Sequence, residues 1–334
     1  MESTSKIFVA GHRGLMGSAL VRRLHASGYA HLLLRTHEEL DLADHSAVAR
    51  FFAQEQPEYV FLAAAKVGGI LANSTYTADF IGQNIFIQTN VIHEAYRCGV
   101  NRLLFLGSSC IYPKHAPQPI KEEYLLSGPL EATNRPYAIA KISGIEMCRS
   151  YNQQFGTRFL AAMPTNLFGP DDHYDLQNSH AVPALIRKMH EGKVRNATQV
   201  EVWGTGHPRR EFLYSEDAAD ACLFLMNLSD EQLNSILTDQ EIRPLVNIGC
   251  GQDLTVSELA ELIAETVGFK GRLVFDPSKP DGAPRKLLDT SRLTALGWKN
   301  TTTLGDGLIK TYRDFLERQA LGEGVRSVST SAIN

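Results

Sequence analysis

Short, almost wholly apolar runs alternate with longer stretches of helical periodicity through the first half of the chain. Lys6–Ala10, Leu32–Leu34, Tyr59–Ala63, Leu103–Leu106 and Phe159–Met163 lack the polar alternation of a half-exposed strand, so they predict strands covered on both faces. Helix-length segments separate them, among them Leu15–Ser27, Asp79–Cys98 and Pro136–Gln154. Strands that alternate with helices predict βαβ units and a parallel sheet. Within Asp79–Cys98, Phe80, Ile81, Ile85, Phe86, Ile87, Val91, Ile92 and Tyr96 cover more than one helical face. Such a helix is either deeply buried or packs against a second copy of the chain.

After about Pro164 the rhythm changes, with Pro, Asp, Asn and His clustered in PTNLFGPDDHYDLQNSH. Farther on, Glu216–Leu228 reads as a helix, Val246–Gly249 as a short strand and Ser257–Val267 as an amphipathic helix. The expected fold class is α/β, a Rossmann-type doubly wound parallel sheet with a smaller C-terminal substrate domain. Residues 1–165 are expected to form the dinucleotide-binding domain, with segments near 212–228 and 245–250 returning to it. Residues 166–320 would be mainly substrate-binding, and 321–334, small and polar, a flexible tail.

Composition narrows the function. In a chain of 334 residues, a hydrophobic fraction of 43% and a charged fraction of 21% describe an ordinary globular protein. The net charge of −4 argues against nucleic-acid or membrane-surface partners, so any cations that receive an anionic substrate must be local. No apolar run approaches the ~20 residues of a membrane span, and the N-terminus lacks the layout of a signal peptide. Five cysteines are scattered singly without a CxxC pair, which argues against a disulfide framework or a metal site and for a reducing, cytoplasmic setting.

The first strand runs into Gly11-His12-Arg13-Gly14-Leu15-Met16-Gly17, which opens the first helix. Glycines in that position let the backbone turn tightly and approach a pyrophosphate, which then sits at the helix N-terminus. At the end of the second strand, where an NAD enzyme usually has an acid, stand Leu34-Arg35-Thr36-His37. Arg13 and Arg35 together favour a ribose 2′-phosphate, hence NADP(H). The opposing reading makes Glu38 or Glu39 the ribose-binding acid and leaves the arginines solvated.

Tyr137 and Lys141, four residues apart, share one helical face. A nearby ammonium favours the phenolate, so Lys141 is expected to lower the Tyr137 pKa from its usual ~10. Leu106-Gly107-Ser108-Ser109-Cys110 ends the fourth strand, where an open α/β sheet faces its ligand crevice. Ser108 or its rival Ser109 can there share one substrate oxygen with Tyr137.

These features, with the segments GHRGLMGSAL, AAAKVGGILAN, LGSSCIYPK, NRPYAIAK, MPTNLFGP, NSHAVPALI, VWGTGHPRREFL and SKPDGAPRKLLD, resemble the extended short-chain dehydrogenase/reductase family. Within it they are similar to a branch of bifunctional epimerase/reductases acting on GDP-sugars. The likeness runs from Gly11 to about Asp289. It implies conversion of GDP-4-keto-6-deoxy-D-mannose to GDP-L-fucose, by epimerisation at C3 and C5 and then hydride transfer from NADPH to C4. Ser108, Cys110, Tyr137, Lys141 and His180 are the implied catalytic residues, with Cys110 as base and His180 as the acid that reprotonates the opposite face. Beyond the glycine loop and Arg35, the cofactor would touch Leu106, Gly107, Lys141, Pro164, Asn166, Leu167 and His180. Lys188, Trp203, Arg210 and Asp281 match substrate positions, with Arg187 a rival to Lys188 and Arg209 to Arg210. A homodimer through Asp79–Cys98 and Pro136–Gln154 is a further expectation. The rival readings are a 4-epimerase, reductase or 4,6-dehydratase on the same scaffold, and a non-catalytic NADP-sensing regulator. Cys110-Ile111-Tyr112 stands where a dehydratase is expected to carry an Asp-Glu step.

Overall fold

The computed structural model describes residues 1–176, 179–239, 244–279 and 281–321. The tail expected from residue 321 therefore lies, after Leu321, outside the described residues. In chain order the first half holds β1 (Ile7–Ala10), α1 (Leu15–Ala26), β2 (Leu32–Leu33), α2 (His45–Glu55), β3 (Tyr59–Leu62), α3 (Ile70–Thr75), α4 (Thr77–Arg97), β4 (Arg102–Leu106), α5 (Arg135–Phe155) and β5 (Phe159–Pro164). Next come β6 (Asn166–Phe168), α6 (Ala181–Val194), β7 (Gln199–Trp203), β8 (Arg209–Tyr214), α7 (Ser215–Met226) and α8 (Asp230–Leu237). The chain continues with β9 (Leu245–Ile248), β10 (Asp253–Thr255), α9 (Val256–Val267), β11 (Arg272–Asp276), β12 (Arg285–Lys286), α10 (Ser291–Ala295) and α11 (Leu304–Ala320).

The main sheet has the order β2-β1-β3-β4-β5-β9, and every pairing is parallel. Its strands read as continuous apolar runs because both faces are covered. Phe8, Val60, Phe105 and Phe159 point to one face, under α2, α4 and α5. Ile7, Val9, Phe61 and Leu104 point to the other, under α1 and α7. The chain leaves β1 for β2 on one side and returns to β3 on the other, so the winding reverses between β1 and β3. That switch point is where an open α/β sheet opens a crevice for ligands.

Beyond the main sheet, β8 pairs with β6, β10 and β12, and β7 pairs with β11. These strands, with α6, α9 and α11, share a third core that includes Phe168, Ile186, Tyr214, Ile263 and Phe315. Apolar strands and long helices read from sequence fall within two residues of the observed bounds. The pattern leaves β6, β7, β8, β10, β11 and β12 unassigned, and for two of them the reason is physical. β8 begins Arg-Arg-Glu and β12 is Arg-Lys, so the first half of β8 and all of β12 carry polar residues that hide the strand pattern. On α4, Phe80, Val91 and Ile92 face inward while Phe86 is 59% exposed, so one apolar face remains open to solvent. Among the described residues no helix is long and apolar enough to cross a membrane, and no group of three or more His, Cys, Asp or Glu could hold a metal ion.

Candidate active site

The glycine loop sits at the β1/β3 switch point, and two of its glycines are required there. Gly11 has φ +85°, and a Cβ on it would lie 2.7 Å from the backbone of Ala64 just beyond β3. A Cβ on Gly17 would come within 2.6 Å of the Gly11 carbonyl carbon and 2.8 Å of His12 Cα. Gly14 caps α1 without a side chain, and no acidic residue occupies the first turn. The free N–H groups and the helix dipole there suit an anion. His12 has a buried ring nitrogen, Nδ1, without a partner in the protein. Burial and the Arg13 charge lower its pKa.

Arg35 extends from the end of β2 across the Phe51 ring, 5.5 Å from its centroid. It donates to Glu55 at 2.5 Å and to the Leu34 carbonyl at 2.9 Å. Glu39 accepts from the Thr36 N–H at 2.7 Å, which holds its carboxyl below the usual range, with Arg35 and Arg13 adding to the effect. Its carboxylate is thus engaged in closing the turn after β2, within reach of both arginine charges.

Leu106 and Gly107 end β4 beside the same crevice. A Cβ on Gly107 would lie 2.7 Å from Met163 Sδ, so a side chain there would require the Met163 thioether to move. The Leu106 carbonyl accepts from Lys141 Nζ at 2.8 Å. That ammonium also lies 4.7 Å from the Phe105 ring centroid and 5.9 Å from that of Tyr137. Pro164 closes β5, and Leu167 packs partly buried against the α1 side of the sheet. Asn166 donates to the Glu211 carbonyl at 2.8 Å.

Ser108, in extended conformation (φ −157°), opens a 3-10 turn over Ser109–Ile111. Its side chain stands near enough to Tyr137 and Cys110 to favour the charged form of each, so the three side chains gather at one point. Ser109 is buried in the turn. The Phe80 ring meets Tyr137 edge-on at 6.2 Å between centroids.

The electrostatics depart from the sequence expectation in one respect. Burial is the largest influence on Tyr137 and raises its phenol well above the ordinary value; Cys110 pushes the same way, and Ser108 opposes. Burial likewise lowers Lys141 to about 8. The ammonium does not overcome the desolvation that both groups suffer at the foot of the cleft. Tyr137 is therefore a protonated phenol at neutral pH, ready to donate. Burial also raises the Cys110 thiol, opposed first by Lys286, then by Ser108 and Lys141.

His180 is the N-cap of α6 and keeps an accessible surface although protein crowds around its ring. Burial lowers its pKa, and the charge that adds to this is that of His173 rather than of any member of the Ser108 cluster.

A second polar cluster forms where β7, β8 and the approach to β12 meet. Lys188 on α6 and Lys279 stand over the Trp203 ring at 4.9 and 5.4 Å, and Trp203 is 44% exposed. Asp281 accepts from Thr205 N and Oγ1, both at 2.8 Å, and its backbone carbonyl accepts from Arg210 at 3.2 Å. Gly204, at φ +86°, leaves the space that the Asp281 carboxylate fills. The two rivals point elsewhere. Arg187 bonds to Glu191 and the Tyr174 carbonyl, and Arg209 bonds to Asp253. In the β8–β12 register Lys286 lies opposite Arg210, so it links this cationic patch to Cys110.

Sequence reasoning passed over Lys286, Lys279, Thr205 and His173. Lys286 lies inside the quoted stretch SKPDGAPRKLLD, yet no spacing relates it to Cys110; strand pairing alone brings them near.

Along most of their length known proteins resemble this chain. "GDP-L-fucose synthase 1" of Arabidopsis thaliana is 56% identical over 316 residues, 95% of this chain and 94% of that protein. "GDP-L-fucose synthase" of Escherichia coli (strain K12) is 54% identical over 317 residues, 95% and 98%. Among solved structures, a GDP-L-fucose synthetase from Naegleria fowleri bound to NADP superposes with a TM-score of 0.84 at 27% identity, covering 98% of each chain. The model of the NAD dependent epimerase/dehydratase family matches residues 7–238, and the chain belongs to that family.

Proposed function

We propose that this chain converts GDP-4-keto-6-deoxy-D-mannose to GDP-L-fucose with NADPH, epimerising C3 and C5 before reducing C4. The observation that carries the reading is that Cys110 and Ser108, beyond the end of β4, both act on Tyr137, so a thiol and a proton-donating phenol meet at one point of the cleft. A reductase that only delivers hydride needs no thiol there. The relatives named above support the same reaction.

The crevice fits the cofactor. Gly11 and Gly17 leave no room for a Cβ, and the uncapped first turn of α1 presents N–H groups to a pyrophosphate. His12–Gly17 would hold the diphosphate, Arg13 and Arg35 the 2′-phosphate, and Leu106, Gly107, Pro164, Asn166, Leu167 and His180 the nicotinamide half. NADPH supplies the hydride.

In the epimerisation, Tyr137 and Ser108 donate hydrogen bonds to the C4 oxygen and stabilise the enolate as it forms; a donor so placed is typically worth ~3–4 kcal/mol. Cys110 removes the proton at C3 or C5, with Lys286 and Lys141 favouring its thiolate. His180 gives a proton to the opposite face; its lowered pKa leaves it mostly neutral at neutral pH, so it takes up a proton from solvent before each donation. In the reduction, Tyr137 protonates the C4 oxygen, and Lys141 stabilises the phenolate left behind. Lys188, Trp203, Arg210 and Asp281 would hold the GDP portion, with the cations facing the diphosphate and Trp203 covering a ring. In this reading residues 1–165, with 212–228 and 245–250, form the cofactor domain and 166–320 the substrate domain.

The proposal extends to a cytoplasmic homodimer. All five cysteines are free, which suits a reducing compartment. The outward faces of α4 and α5 expose Phe86, Ile139 and Phe155, which suits a helix–helix contact between two copies.

The test is to incubate the protein with GDP-4-keto-6-deoxy-D-mannose and NADPH in deuterated water. NADPH consumption with deuterium at C3 and C5 of the product is expected. Consumption without deuterium would leave a plain reductase, and no consumption beside a competent control enzyme would reject the reading.

A further inference from the structure

Lys286 acts on Cys110 from 176 residues away in sequence, and the segment that carries it is fastened along its length. The Leu287 N–H donates to Gln118 Oε1 at 2.9 Å. The Ile120 N–H donates to the Leu287 carbonyl at 2.7 Å, and the Asp289 N–H to the Ile120 carbonyl at 2.8 Å. From the other side, Glu211 accepts from the Leu288 N–H at 3.0 Å.

Asn247 on β9 completes the fastening. Its Nδ2 donates to the carbonyls of Ile120 at 2.9 Å and Asp289 at 3.1 Å. Its backbone N–H donates to Glu122 at 2.9 Å, and its Oδ1 accepts from the Tyr112 hydroxyl at 2.6 Å. Tyr112 directly follows the 3-10 turn that holds Cys110. Tyr112 is 2% exposed and Asn247 fully buried. A Phe at 112 would fill the same ring space, so packing alone does not call for the hydroxyl. What the hydroxyl adds is a fixed distance and direction to Asn247, in a network whose other polar groups are also paired.

We propose that Tyr112 and Asn247 are positioning residues for the epimerisation, their hydrogen bond locking the Cys110 turn against the 285–289 segment and so setting the separation between the Cys110 sulfur and the Lys286 ammonium. This rests on the reading of Cys110 as the base. Four groups face that sulfur: Lys286 from the fastened segment, Lys141 and Tyr137 from α5, and Ser108 from the end of β4. Three of them sit at β4 or on α5, which pack directly on each other. Lys286 alone comes from a separate segment, paired with β8 on one side and tied to the Cys110 turn through Asn247 and Tyr112 on the other. In a water-poor cleft the pull of an ammonium on a thiolate changes steeply with separation, and a misplacement of about 1 Å can cost about a hundredfold in rate.

Tyr112→Phe removes only the hydroxyl. Gln118→Ala, at a half-buried position, loosens the same segment from its other side and serves if Tyr112→Phe does not fold. Tyr29→Phe removes the hydroxyl of a buried tyrosine in the other core and controls for stability. The full-length protein is mixed with GDP-4-keto-6-deoxy-D-mannose in deuterated water without NADPH, and deuterium entry at C3 and C5 is followed by NMR across pH. In parallel, hydride transfer is measured with NADPH and the ketone already inverted at C3 and C5.

Tyr112→Phe is expected to slow exchange about ten- to hundredfold and move the thiol limb of its pH profile upward. Hydride transfer to the inverted ketone should stay within about twofold, and Tyr29→Phe should match wild type throughout. Unchanged exchange in both Tyr112→Phe and Gln118→Ala, while Cys110→Ser abolishes it, overturns the proposal and leaves the base assignment intact. A parallel loss of exchange and hydride transfer with no movement of the pH profile also overturns it, since that is loss of structure. If Cys110→Ser itself exchanges at the wild-type rate, the base reading fails first and the positioning role falls with it.

Discussion

Replacing Lys141 with Met removes an ammonium that is 3% exposed and whose pKa falls from 10.5 to about 8 because burial disfavours its charge. A tenfold change in proton affinity is worth about 1.4 kcal/mol, so the buried charge costs the native state about 3 kcal/mol at neutral pH. The sign with pH follows from proton counting. Between pH 8 and 10.5 the native lysine is neutral while the unfolded one is still charged. The unfolded chain then holds one more proton, and native stability rises with pH across that window. Measured against Lys141→Met, wild-type stability should climb by about 2 kcal/mol from about pH 7 to pH 9.5. The raised thiols of Cys148 and Cys222 are common to both proteins and cancel in the difference. Urea unfolding followed by circular dichroism at several pH values gives the two curves. If they run parallel, the Lys141 ammonium is not desolvated, and the account of a protonated Tyr137 beside it loses its basis.

Gly17→Ala should weaken NADPH binding at least about tenfold, since the added methyl meets backbone and typical overpacking costs about 1–3 kcal/mol; titration calorimetry returning the wild-type Kd would reject the tight-loop argument. Arg210→Met should raise KM for the GDP-sugar about ten- to hundredfold through loss of a charge-assisted contact, with the Kd for NADPH unchanged; an unchanged KM would remove Arg210 from the substrate site. Phe86→Lys should turn the expected dimer into a monomer with its fold retained. Light scattering that finds wild type already monomeric would end the homodimer proposal.

Much of this architecture is legible in the sequence, and the limits have identifiable causes. Ile7–Ala10 and Leu103–Leu106 read as strands because burial on both faces leaves them no polar residue to place. The glycine loop is legible because its constraint is local: seven consecutive residues make one turn. Ser108, Cys110, Tyr137 and Lys141 lie close enough along two adjacent elements for their convergence to be anticipated. Lys286 does not, because its neighbour is chosen by the pairing of a two-residue strand with β8. The pair electrostatics of Tyr137 and Lys141 were expected in the wrong direction because spacing reports proximity and says nothing of solvent. The rivalry of Arg187 with Lys188 is of the same kind: adjacent helix positions point about 100° apart, and only the packed structure shows that Arg187 turns to Tyr174 while Lys188 turns to Trp203.

The late arrival of Lys286 has a consequence for how the protein comes into being. Ribosomes add about 5–20 residues per second, so Cys110 is made roughly 9–35 s before the lysine that will face it. During that interval β5 joins β1 to β4, and Glu211, made later, has no Leu288 N–H to hold. The nascent chain can therefore assemble a nucleotide crevice well before it owns a competent thiol.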